Sequence, residues 1–394
     1  MKQITENIYY VGVNDRDKQR FESLWPLPYG VAYNSYIVDD GKIALIDTVD
    51  SRFFAEYLSK IREVIGSRAI DYLVINHMEP DHSGSIGLIR QVYPDVCIVG
   101  NKKTLEMTAG YYGEQAGTLC VAEGQELPIG KTALRFYLTP MVHWPETMVT
   151  YHEATKTLFS GDAFGCFGAL NGGVRDGDLS IEAYFPEMIR YYSCIVGKYG
   201  AQVQAAMKKL AGVPLNRICS THGPVWETAI DRVFSVYDRL SRYEGERGAC
   251  LVFASMYGNT ARMAEAVSEG LVEAGLRDFS VYQLGRTDES YLIADAFRYK
   301  GLILGAPTYN NGLFPLMESY VAALRERGLR NRLVSVFGSF SWAGKAVKSL
   351  LEFASLPGME LLGEPVEMRQ GFNSEVEARC KELGRTAARR LLAE

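Results

Sequence analysis

One segment limits the possible folds of this chain more than any other: Asn76-His77-Met78-Glu79-Pro80-Asp81-His82-Ser83-Gly84. The residues Tyr72–Asn76 before it are predicted to form a strand, so the segment lies on a loop at the carboxyl end of that strand. Its potential metal ligands are His77, Glu79, Asp81 and His82. Alternate side chains of extended backbone point in related directions, so this loop can hold two metal ions that share one pocket.

Three further ligand candidates also follow predicted strands. They are His143 in Thr139–Glu146, Asp162 in Leu158–Asp162 and His222 in Ile218–Gly223. A single histidine at a strand end is commonly structural. Together with Asn76–Gly84, however, these segments hold four of the five histidines of the chain. All of them follow predicted strands at the same end, which predicts a common metal site. The fifth, His152, stands in mid-strand beside Glu153, and we expect it on the surface.

The types of donor favour non-haem iron. Two histidines and a carboxylate are a common ligand set for non-haem iron that keeps positions open to small molecules. Zinc hydrolases of related architecture resemble this pattern but have a histidine where this chain has Glu79. That exchange makes the site more anionic, which favours ferric iron over a hydrolytic zinc.

The chain is predicted to divide near residue 247 into domains 1–246 and 247–394. The polar, glycine-bearing segment Tyr243–Gly248 is interpreted as the linker. In the first part, short turns such as Asp39-Asp40-Gly41 favour antiparallel hairpins. The strands expected there are Ile8–Val13, Asn34–Val38, Lys42–Asp47, Tyr72–Asn76, Leu119–Val121, Ala133–Leu138, Met148–His152 and Thr157–Ser160. Helical patterns at about 52–64, 84–93, 183–199 and 226–242 predict helices outside these sheets.

The second part alternates short apolar runs with helical patterns, which predicts a parallel, doubly wound α/β sheet. The expected strands are Ala249–Ala254, Ser280–Leu284, Gly301–Leu304, Arg332–Phe337 and Glu360–Leu362. The first helix places Met263, Val267, Leu271 and Ala274 on one face, and the last begins at about Ser374.

Three loops of this sheet are predicted to bind a flavin. Ser255–Thr260 combines hydroxyls and a glycine before a helix, where backbone N–H groups can bind a phosphate. For this loop alone, an ordinary capped helix is an equal alternative. Gly305–Gly312 and Gly338–Gly344 add aromatic and small residues, which suit the faces and polar edge of an isoalloxazine ring. Tyr309 and Trp342 could instead be core aromatics.

At these residues the chain resembles the flavodiiron proteins, also called A-type flavoproteins. The resemblance implies an αββα metallo-β-lactamase-like domain followed by a flavodoxin-like domain. Their ligand pattern H-x-E-x-D-H, then His, Asp and His, matches this sequence. It implies that His77, Glu79 and His143 bind one iron, that Asp81, His82 and His222 bind the other, and that Asp162 bridges them.

The resemblance also implies that the flavin is FMN. The residues expected to hold its phosphate and ring are Ser255, Met256, Tyr257, Gly258, Asn259, Thr260, Pro307, Thr308, Tyr309, Asn310, Asn311, Gly312, Ser339, Phe340, Ser341, Trp342 and Gly344.

A flavin and an iron pair on one chain imply electron flow between them. FMN holds two electrons and two ferrous ions supply two more. Four electrons reduce O₂ to two waters, and two reduce two NO to N₂O and water, which are the reactions of the family. We expect Trp144 and Tyr184 to contribute to the catalytic pocket, with Phe164, Phe167 and Phe185 as further candidates. The alternative is that these side chains form only a hydrophobic surround.

The expected partners follow from what the sequence lacks. It has no nicotinamide fingerprint, and its seven cysteines form no C-x-x-C pair, so electrons should come from an external donor such as rubredoxin or a rubredoxin reductase. The family implies a head-to-tail homodimer, or a dimer of such dimers. A net charge of −5 argues against nucleic acid, and the absence of an apolar span or leader predicts a cytoplasmic protein that is not bound to a membrane.

Two other classes of function remain open at this point. One is a zinc-dependent hydrolase with a flavin-binding regulatory domain. The other is a non-enzymatic electron carrier or sensor, which has no need of an open two-metal site.

Overall fold

The computed structural model describes residues 2–114 and 116–394. The chain forms two compact units, Met1–Tyr192 with Ala201–Asp238, and Ser193–Gly200 with Arg239–Glu394. The second unit therefore includes a short segment from earlier in the chain. The boundary between 246 and 247 stays a prediction.

The strands that precede residue 246 are short. They are β1 (Lys2–Gln3), β2 (Ile8–Tyr10), β3 (Val13–Asp15), β4 (Arg20–Phe21), β5 (Trp25–Pro26), β6 (Val31–Tyr33), β7 (Tyr36–Asp39), β8 (Ile43–Ile46), β9 (Tyr72–Val74), β10 (Cys97–Gly100), β11 (Thr118–Cys120), β12 (Glu126–Pro128), β13 (Ala133–Leu138), β14 (Met148–His152), β15 (Thr157–Gly161) and β16 (Arg217–Ser220).

The helices of the same part of the chain join and cover these strands. They are α1 (Phe54–Ile65), α2 (Pro80–Ser83), α3 (Ile86–Val92), α4 (Lys102–Tyr112), α5 (Tyr184–Tyr191), α6 (Gly200–Leu210) and α7 (Ile230–Ser241). No helix among the described residues of the chain has the length and apolar character needed to cross a membrane.

Two sheets form the centre of the first unit. One runs in the order β1-β2-β7-β8-β9-β10-β11 and the other in the order β12-β13-β14-β15-β16. The turn Asp39-Asp40-Gly41 joins β7 and β8 as an antiparallel pair, as predicted. Every residue of β8, β14 and β15 is buried, which is expected of strands covered on both faces. The architecture is the αββα sandwich.

Two elements of the first unit differ from the sequence-based prediction. The expected strand Ile8–Val13 is divided, because β3 leaves the large sheet to pair with β6. Gly12 lies at this break, where an added Cβ would be 2.5 Å from the carbonyl oxygen of Tyr33. The expected helix 183–199 ends as α5 at Tyr191, and the chain continues as a π-helical turn, Tyr192–Val196.

The second unit contains the predicted parallel sheet. Its strands are β17 (Glu246–Phe253), β18 (Phe279–Gln283), β19 (Tyr299–Tyr309), β20 (Gly312–Leu313), β21 (Arg332–Phe340), β22 (Met359–Leu361) and β23 (Val366–Arg369). The order β18-β17-β19-β21-β22 is parallel throughout, and β23 also pairs with β21 in parallel. The helices are α8 (Asn259–Glu273), α9 (Glu289–Arg298), α10 (Pro315–Glu326), α11 (Ala346–Ala354) and α12 (Ser374–Leu392).

Helices α8 and α12 pack with their backbones close together. The predicted apolar face of α8 is confirmed, since Met263, Val267 and Leu271 are fully buried. On α12, a Cβ added to Gly384 would lie 2.1 Å from the carbonyl oxygen of Val267. On α8, a Cβ added to Gly270 would lie equally close, 2.1 Å, to the carbonyl oxygen of Lys381. Glycine is required at both positions because no side chain fits between the helices.

The segment interpreted as a linker is an ordered part of the second unit. Tyr243 is only 1% exposed, and its hydroxyl donates to the carbonyl oxygen of Gly197 at 2.9 Å. Its own carbonyl accepts from the buried guanidinium of Arg332 at 2.6 Å. From Glu246 onward the segment is already strand β17. The role of Tyr243–Gly248 as the linker between the two domains stays a prediction.

Candidate functional site

The loop after β9 carries four of the predicted ligands, but its backbone is not extended throughout. Pro80 begins the short helix α2, a position where its fixed φ is favourable. The helical turn directs Asp81 and His82 to a different cluster from His77 and Glu79. The expected alternation along one extended strand was therefore wrong, although all four side chains are buried at the site.

The first cluster contains His77, Glu79, His143 and Asp162. The Nε2 atoms of His77 and His143 lie 3.4 and 3.2 Å from Oε2 of Glu79. They lie 3.4 and 3.2 Å from Oδ2 of Asp162. All four residues are buried, and their ligand atoms lie within 4.8 Å of one another. One ion can therefore be reached by two imidazoles and two carboxylates.

The second cluster contains Asp81, His82 and His222. The Nε2 atoms of the two histidines are 3.1 Å apart, and each lies 3.4 Å from Oδ2 of Asp81. The other oxygen of Asp162, Oδ1, is 2.9 Å from Nε2 of His82 and 3.7 Å from that of His222. Asp162 thus presents one oxygen to each cluster.

Hydrogen bonds outside the clusters fix the orientation of the ligand candidates. The Nδ1 atom of His222 donates to the carbonyl oxygen of Ala32 at 2.7 Å, which leaves the lone pair of Nε2 for a metal. Thr221 donates its hydroxyl to Oδ1 of Asp162 at 2.6 Å. These bonds hold the imidazole and the carboxylate in position before any ion arrives.

Glu146 is a buried carboxylate beside the first cluster that the sequence analysis missed. Its Oε1 accepts from Nδ1 of His77 and from the backbone N–H of Met78, both at 2.8 Å. The carboxylate is fully buried. Glu146 therefore sets the tautomer of His77 so that Nε2 faces the first cluster. The only signal in the sequence is its position three residues after His143.

The charges of the two clusters stabilise one another. Burial alone would lower the pKa of His82 and of His143, but the neighbouring carboxylates outweigh it and raise both values to about 9. Burial alone would raise the pKa of Asp162, but His82, His77 and His143 hold it well below the usual range. The Asp162 carboxylate is therefore ionised, as a metal ligand must be, and an incoming cation displaces protons from the imidazoles of His82 and His143.

Unpaired atoms show that the site fits metal ions. Nε2 of His77 and both carboxylate oxygens of Asp81 are buried without a hydrogen-bond partner among the residues that the structure describes. Buried polar atoms are nearly always paired, so a bound metal ion is the expected partner of these three atoms. Imidazole nitrogens and carboxylate oxygens are the donor set of non-haem iron, and two clusters with one shared carboxylate fit two ions.

The two residues expected in the catalytic pocket differ in position. The Trp144 ring packs edge-on against His77, with ring centroids 5.3 Å apart, and lies 6.1 Å from that of His143. It therefore covers the first cluster. The hydroxyl of Tyr184 instead donates to the carbonyl oxygen of Ala169 at 3.0 Å. A catalytic role for either residue stays a prediction.

The three phenylalanine candidates are buried and pack against different aromatic rings. Phe167 packs against Tyr191, whose ring in turn contacts that of His222. Phe164 and Phe185 pack against aromatic rings that are not ligand candidates, namely Phe234, Tyr237 and Trp226.

The prediction that His152 lies on the surface was wrong. The residue is fully buried, with Nε2 2.8 Å from the Thr132 hydroxyl and Nδ1 2.7 Å from the Thr155 hydroxyl. Burial lowers its pKa, so the imidazole is neutral and structural. Every residue of its strand β14 is buried.

In the second unit, the predicted phosphate loop leads directly into α8. Oγ of Ser255 accepts from the backbone N–H groups of Gly258 and Ala261 at 3.2 and 3.3 Å. Gly258 has φ +90°, a left-handed conformation that favours glycine. Tyr257 is 92% exposed, so this loop is open. It presents hydroxyl and amide donors at a helix N-terminus, as an anionic phosphate requires.

The three predicted loops meet at one cavity of the second unit. It is lined by Ser255, Met256, Tyr257, Asn259, Thr260, Pro307, Thr308, Ser339, Phe340, Ser341 and Gln370. The hydroxyls of Thr260 and Ser339 are 2.9 Å apart and link two of the loops. Gln370 is the lining residue that the sequence analysis missed. It follows β23, which pairs with β21 beside the third loop.

The remaining predicted flavin residues are turn and aromatic residues near this cavity. Asn310 and Asn311 have φ of +46° and +58° in the turn between β19 and β20. Trp342 is 85% exposed and Tyr309 is 43% exposed, which excludes the alternative that they are core aromatics. Gly312 is partly buried, and a Cβ added to Gly344 would lie 2.5 Å from Oε1 of the Glu367 side chain. Exposed aromatic side chains beside a cavity suit a planar ligand.

The fold and the site define a class: a metallo-β-lactamase-like domain with a two-metal centre, followed by a flavodoxin-like domain. Comparisons with known proteins agree. The family model "ODP family beta lactamase" matches residues 31–223, and the flavodoxin model matches residues 251–383. An anaerobic nitric oxide reductase flavorubredoxin of Escherichia coli O1:K1 / APEC is 31% identical over 394 residues, 98% of this chain and 81% of the relative.

Solved structures give the same result. Rubredoxin oxygen:oxidoreductase from Desulfovibrio gigas has a TM-score of 0.94 and 27% identity, covering 100% of this chain and 98% of that one. The flavodiiron protein from Giardia intestinalis also has a TM-score of 0.94 and 27% identity, covering 100% and 97%. The chain belongs to the flavodiiron proteins. Its cofactors are FMN and a non-haem di-iron pair, and the zinc hydrolase alternative is not favoured.

Proposed function

We propose that this protein is a flavodiiron oxidoreductase that reduces O₂ to water and/or NO to N₂O. The observation that carries the proposal is the pair of buried clusters that share Asp162, on a chain that also contains a flavodoxin-like unit. When bound, the metals supply open positions for the gas and the flavin supplies electrons.

The residues of the chain hold and orient these groups. We propose that His77, Glu79 and His143 bind one iron, with Asp162 as the bridge. On the other side, the proposed ligands are Asp81, His82 and His222. The support is geometric: each set converges within ligand distance and is buried, so that bulk water is excluded from the charges. Trp144 is proposed to cover the first set. Tyr184 is proposed to support the pocket through its hydrogen bond to the carbonyl oxygen of Ala169.

For the flavin, we propose that the loop from Ser255 to Thr260 holds the FMN phosphate by neutral donors. The loops after β19 and β21 frame the ring. Support comes from the shared cavity and from the exposed rings of Tyr309 and Trp342, which offer flat apolar faces.

We further propose a cytoplasmic, head-to-tail homodimer, or a dimer of such dimers, that takes electrons from a rubredoxin or a rubredoxin reductase. The support is the family to which the chain belongs. A relative is named a flavorubredoxin, and a similar structure is named a rubredoxin oxygen:oxidoreductase.

The decisive experiment combines metal analysis with gas consumption. The purified protein is reduced anaerobically, and the consumption of O₂ and of NO is followed side by side on electrodes. We expect about two iron ions and one FMN per chain, with turnover of at least one gas. About two zinc ions per chain with hydrolytic activity, and no turnover of either gas, would refute the proposal and favour the hydrolase.

A further inference from the structure

Gln370 adopts a backbone conformation that favours glycine, although it carries a long polar side chain. It is the first residue after strand β23, and its φ of +65° lies in the left-handed region. The glycine of this turn, Gly371, stands one residue later, where an added Cβ would meet no atom within 4 Å. Residues other than glycine, asparagine or aspartate rarely adopt this conformation, and those that do cluster at functional sites. The side chain of Gln370 is therefore a candidate for a role that a glycine could not perform.

Strand pairing holds Gln370 beside the third loop of the flavin cavity. The backbone N–H of Gln370 donates to the carbonyl oxygen of Phe340 at 2.7 Å, which extends the pairing of β23 with β21 by one residue. In the same loop, the Ser339 hydroxyl lies 2.9 Å from that of Thr260, at the end of the proposed phosphate loop. The third loop therefore contacts both Gln370 and the proposed phosphate loop.

A second contact places the turn after β23 against the start of α8. The guanidinium of Arg262, in the first turn of α8, lies over the ring of Phe372, 4.5 Å from its centroid. Phe372 and Ala261 both pack against the hydrophobic core of the second unit. Gln370 stands two residues before Phe372, and the proposed phosphate loop leads into α8. The packing therefore brings Gln370 close to that loop.

The cavity offers neutral donors to an anionic ligand. Gln370 lines it together with Ser255, Asn259 and Thr260 of the proposed phosphate loop. In the part of the chain that the structure describes, no lysine, arginine or histidine is among the residues that line this cavity. A phosphate bound there is therefore held by hydroxyl, amide and backbone N–H groups. The carboxamide of Gln370 adds two N–H donors to this set.

We propose that Nε2 of Gln370 donates a hydrogen bond to the phosphate of FMN. The inference rests on the proposed function, in which the loop from Ser255 to Thr260 holds that phosphate. It makes Gln370 a residue that touches the cofactor, on a fourth loop of the parallel sheet. Because the bond forms with the phosphate alone, Gln370 favours FMN over a flavin that lacks the phosphate.

Riboflavin, which is FMN without the phosphate, is a suitable probe of this bond. The full-length protein is freed of flavin, and the binding of FMN and of riboflavin is followed by the quenching of flavin fluorescence. We expect Gln370→Ala to raise the Kd for FMN about tenfold, which corresponds to about 1.4 kcal/mol. The loss is less than a full hydrogen bond to a charged acceptor, because Gln370 is exposed and water replaces its amide. The Kd for riboflavin should stay within about twofold, since no bond to it is lost.

Two further variants sharpen the comparison. Gln370→Glu keeps the shape of the side chain but places a negative charge beside the phosphate, so it should raise the Kd for FMN more than Gln370→Ala does. Gln283→Ala is the matched control. Gln283 ends strand β18 of the same sheet and is not among the residues that line the cavity; its Oε1 accepts from Arg286 at 3.1 Å. The control should bind both flavins with unaltered affinity.

A second measurement separates binding from folding. Gln370→Gly removes the carboxamide but suits the φ of +65°, so the flavin-free variant should unfold at a higher urea concentration than Gln370→Ala. Its Kd for FMN should nevertheless rise as in Gln370→Ala. If Gln370→Gly instead binds FMN as tightly as the unaltered protein, the backbone conformation matters rather than the carboxamide, and the inference is overturned.

Each result is decisive. An unaltered Kd for FMN in Gln370→Ala would overturn the inference alone. An equal loss for FMN and riboflavin would also overturn it, by placing the contact on the ring or the ribityl chain. If riboflavin binds too weakly to be measured, the phosphorus NMR signal of bound FMN decides: a signal shifted by Gln370→Ala supports the bond and an unshifted signal overturns it. An unaltered protein that binds no FMN would contradict the proposed function as well.

Discussion

Glu146 provides the sharpest test of how the first cluster is built. Replacing it with alanine removes both hydrogen bonds accepted by Oε1, from Nδ1 of His77 and from the backbone of Met78. The remaining partner of His77 Nδ1 is then the Thr147 hydroxyl, at the longer distance of 3.5 Å. The tautomer is held less firmly, and Nε2 no longer faces the cluster in every molecule. We therefore expect Glu146→Ala to weaken metal binding without removing any proposed ligand.

The structure sets the size of this effect. Each bond is 2.8 Å long and involves a buried carboxylate, so each contributes about 1.5–3 kcal/mol to the folded state. Loss of a partner that orients a metal-bound histidine typically weakens metal affinity by about 10–100-fold. That corresponds to about 1.4–2.8 kcal/mol, which lies within the energy of the bond to His77. Glu146→Gln keeps an oxygen acceptor but loses the charge, so its loss should be smaller.

The assay is competition for ferrous ion against a chelator of known affinity, under anaerobic conditions. Glu153→Ala serves as the control, because Glu153 is 68% exposed and lies 3.4 Å from Arg135 in a surface ion pair. Surface pairs contribute little, so this variant should bind iron normally. If Glu146→Ala binds iron with unaltered affinity, Glu146 does not position His77 and the reasoning is refuted.

Three further predictions address the metal, the flavin and the fold. Glu79→Ala removes a carboxylate from the first cluster and should abolish gas reduction while leaving the flavin spectrum intact; unchanged turnover on the electrode would disprove the iron assignment. Asn259→Asp places a negative charge at the start of α8 and should weaken FMN binding, measured by quenching of flavin fluorescence; undiminished affinity would move the phosphate elsewhere. Gly384→Ala forces a Cβ to 2.1 Å from the carbonyl oxygen of Val267 and should lower the unfolding free energy of the second unit by about 1–3 kcal/mol in urea. Gly371→Ala, where the added Cβ has open space, should have little effect, and equal losses in the two variants would contradict the packing argument.

The sequence predicted the positions of the ligand candidates well because strand ends are predictable. His77, His143, Asp162 and His222 each follow a strand, and all four reach the two clusters. Strand β9 belongs to one sheet and β13, β15 and β16 belong to the other, so the ends of strands from both sheets meet at the site and bring together residues that are distant in the chain. The division into two clusters could not be derived in the same way, since it depends on the helical turn that begins at Pro80.

Two polar residues, one at each site, were not predictable. Glu146 and Gln370 are each one polar residue in a loop, and their role depends on the path of that loop in three dimensions. The error on His152 has the same origin. A histidine beside a glutamate in mid-strand is typical of an exposed face, but two threonine hydroxyls satisfy its ring inside the protein. Burial of a polar side chain depends on partners that a local pattern does not contain.

The ordered segment before β17 has a practical consequence for separating the two halves of the chain. Glu246 forms ion pairs with Arg239 at 2.7 Å and Arg298 at 2.8 Å, and Tyr243 supplies a carbonyl oxygen to Arg332. A flavodoxin-like fragment that starts at residue 247 would therefore lose the first residue of strand β17 and an acceptor for the buried guanidinium of Arg332. A fragment that starts before Arg239 keeps these partners and is the better choice for studying flavin binding in isolation.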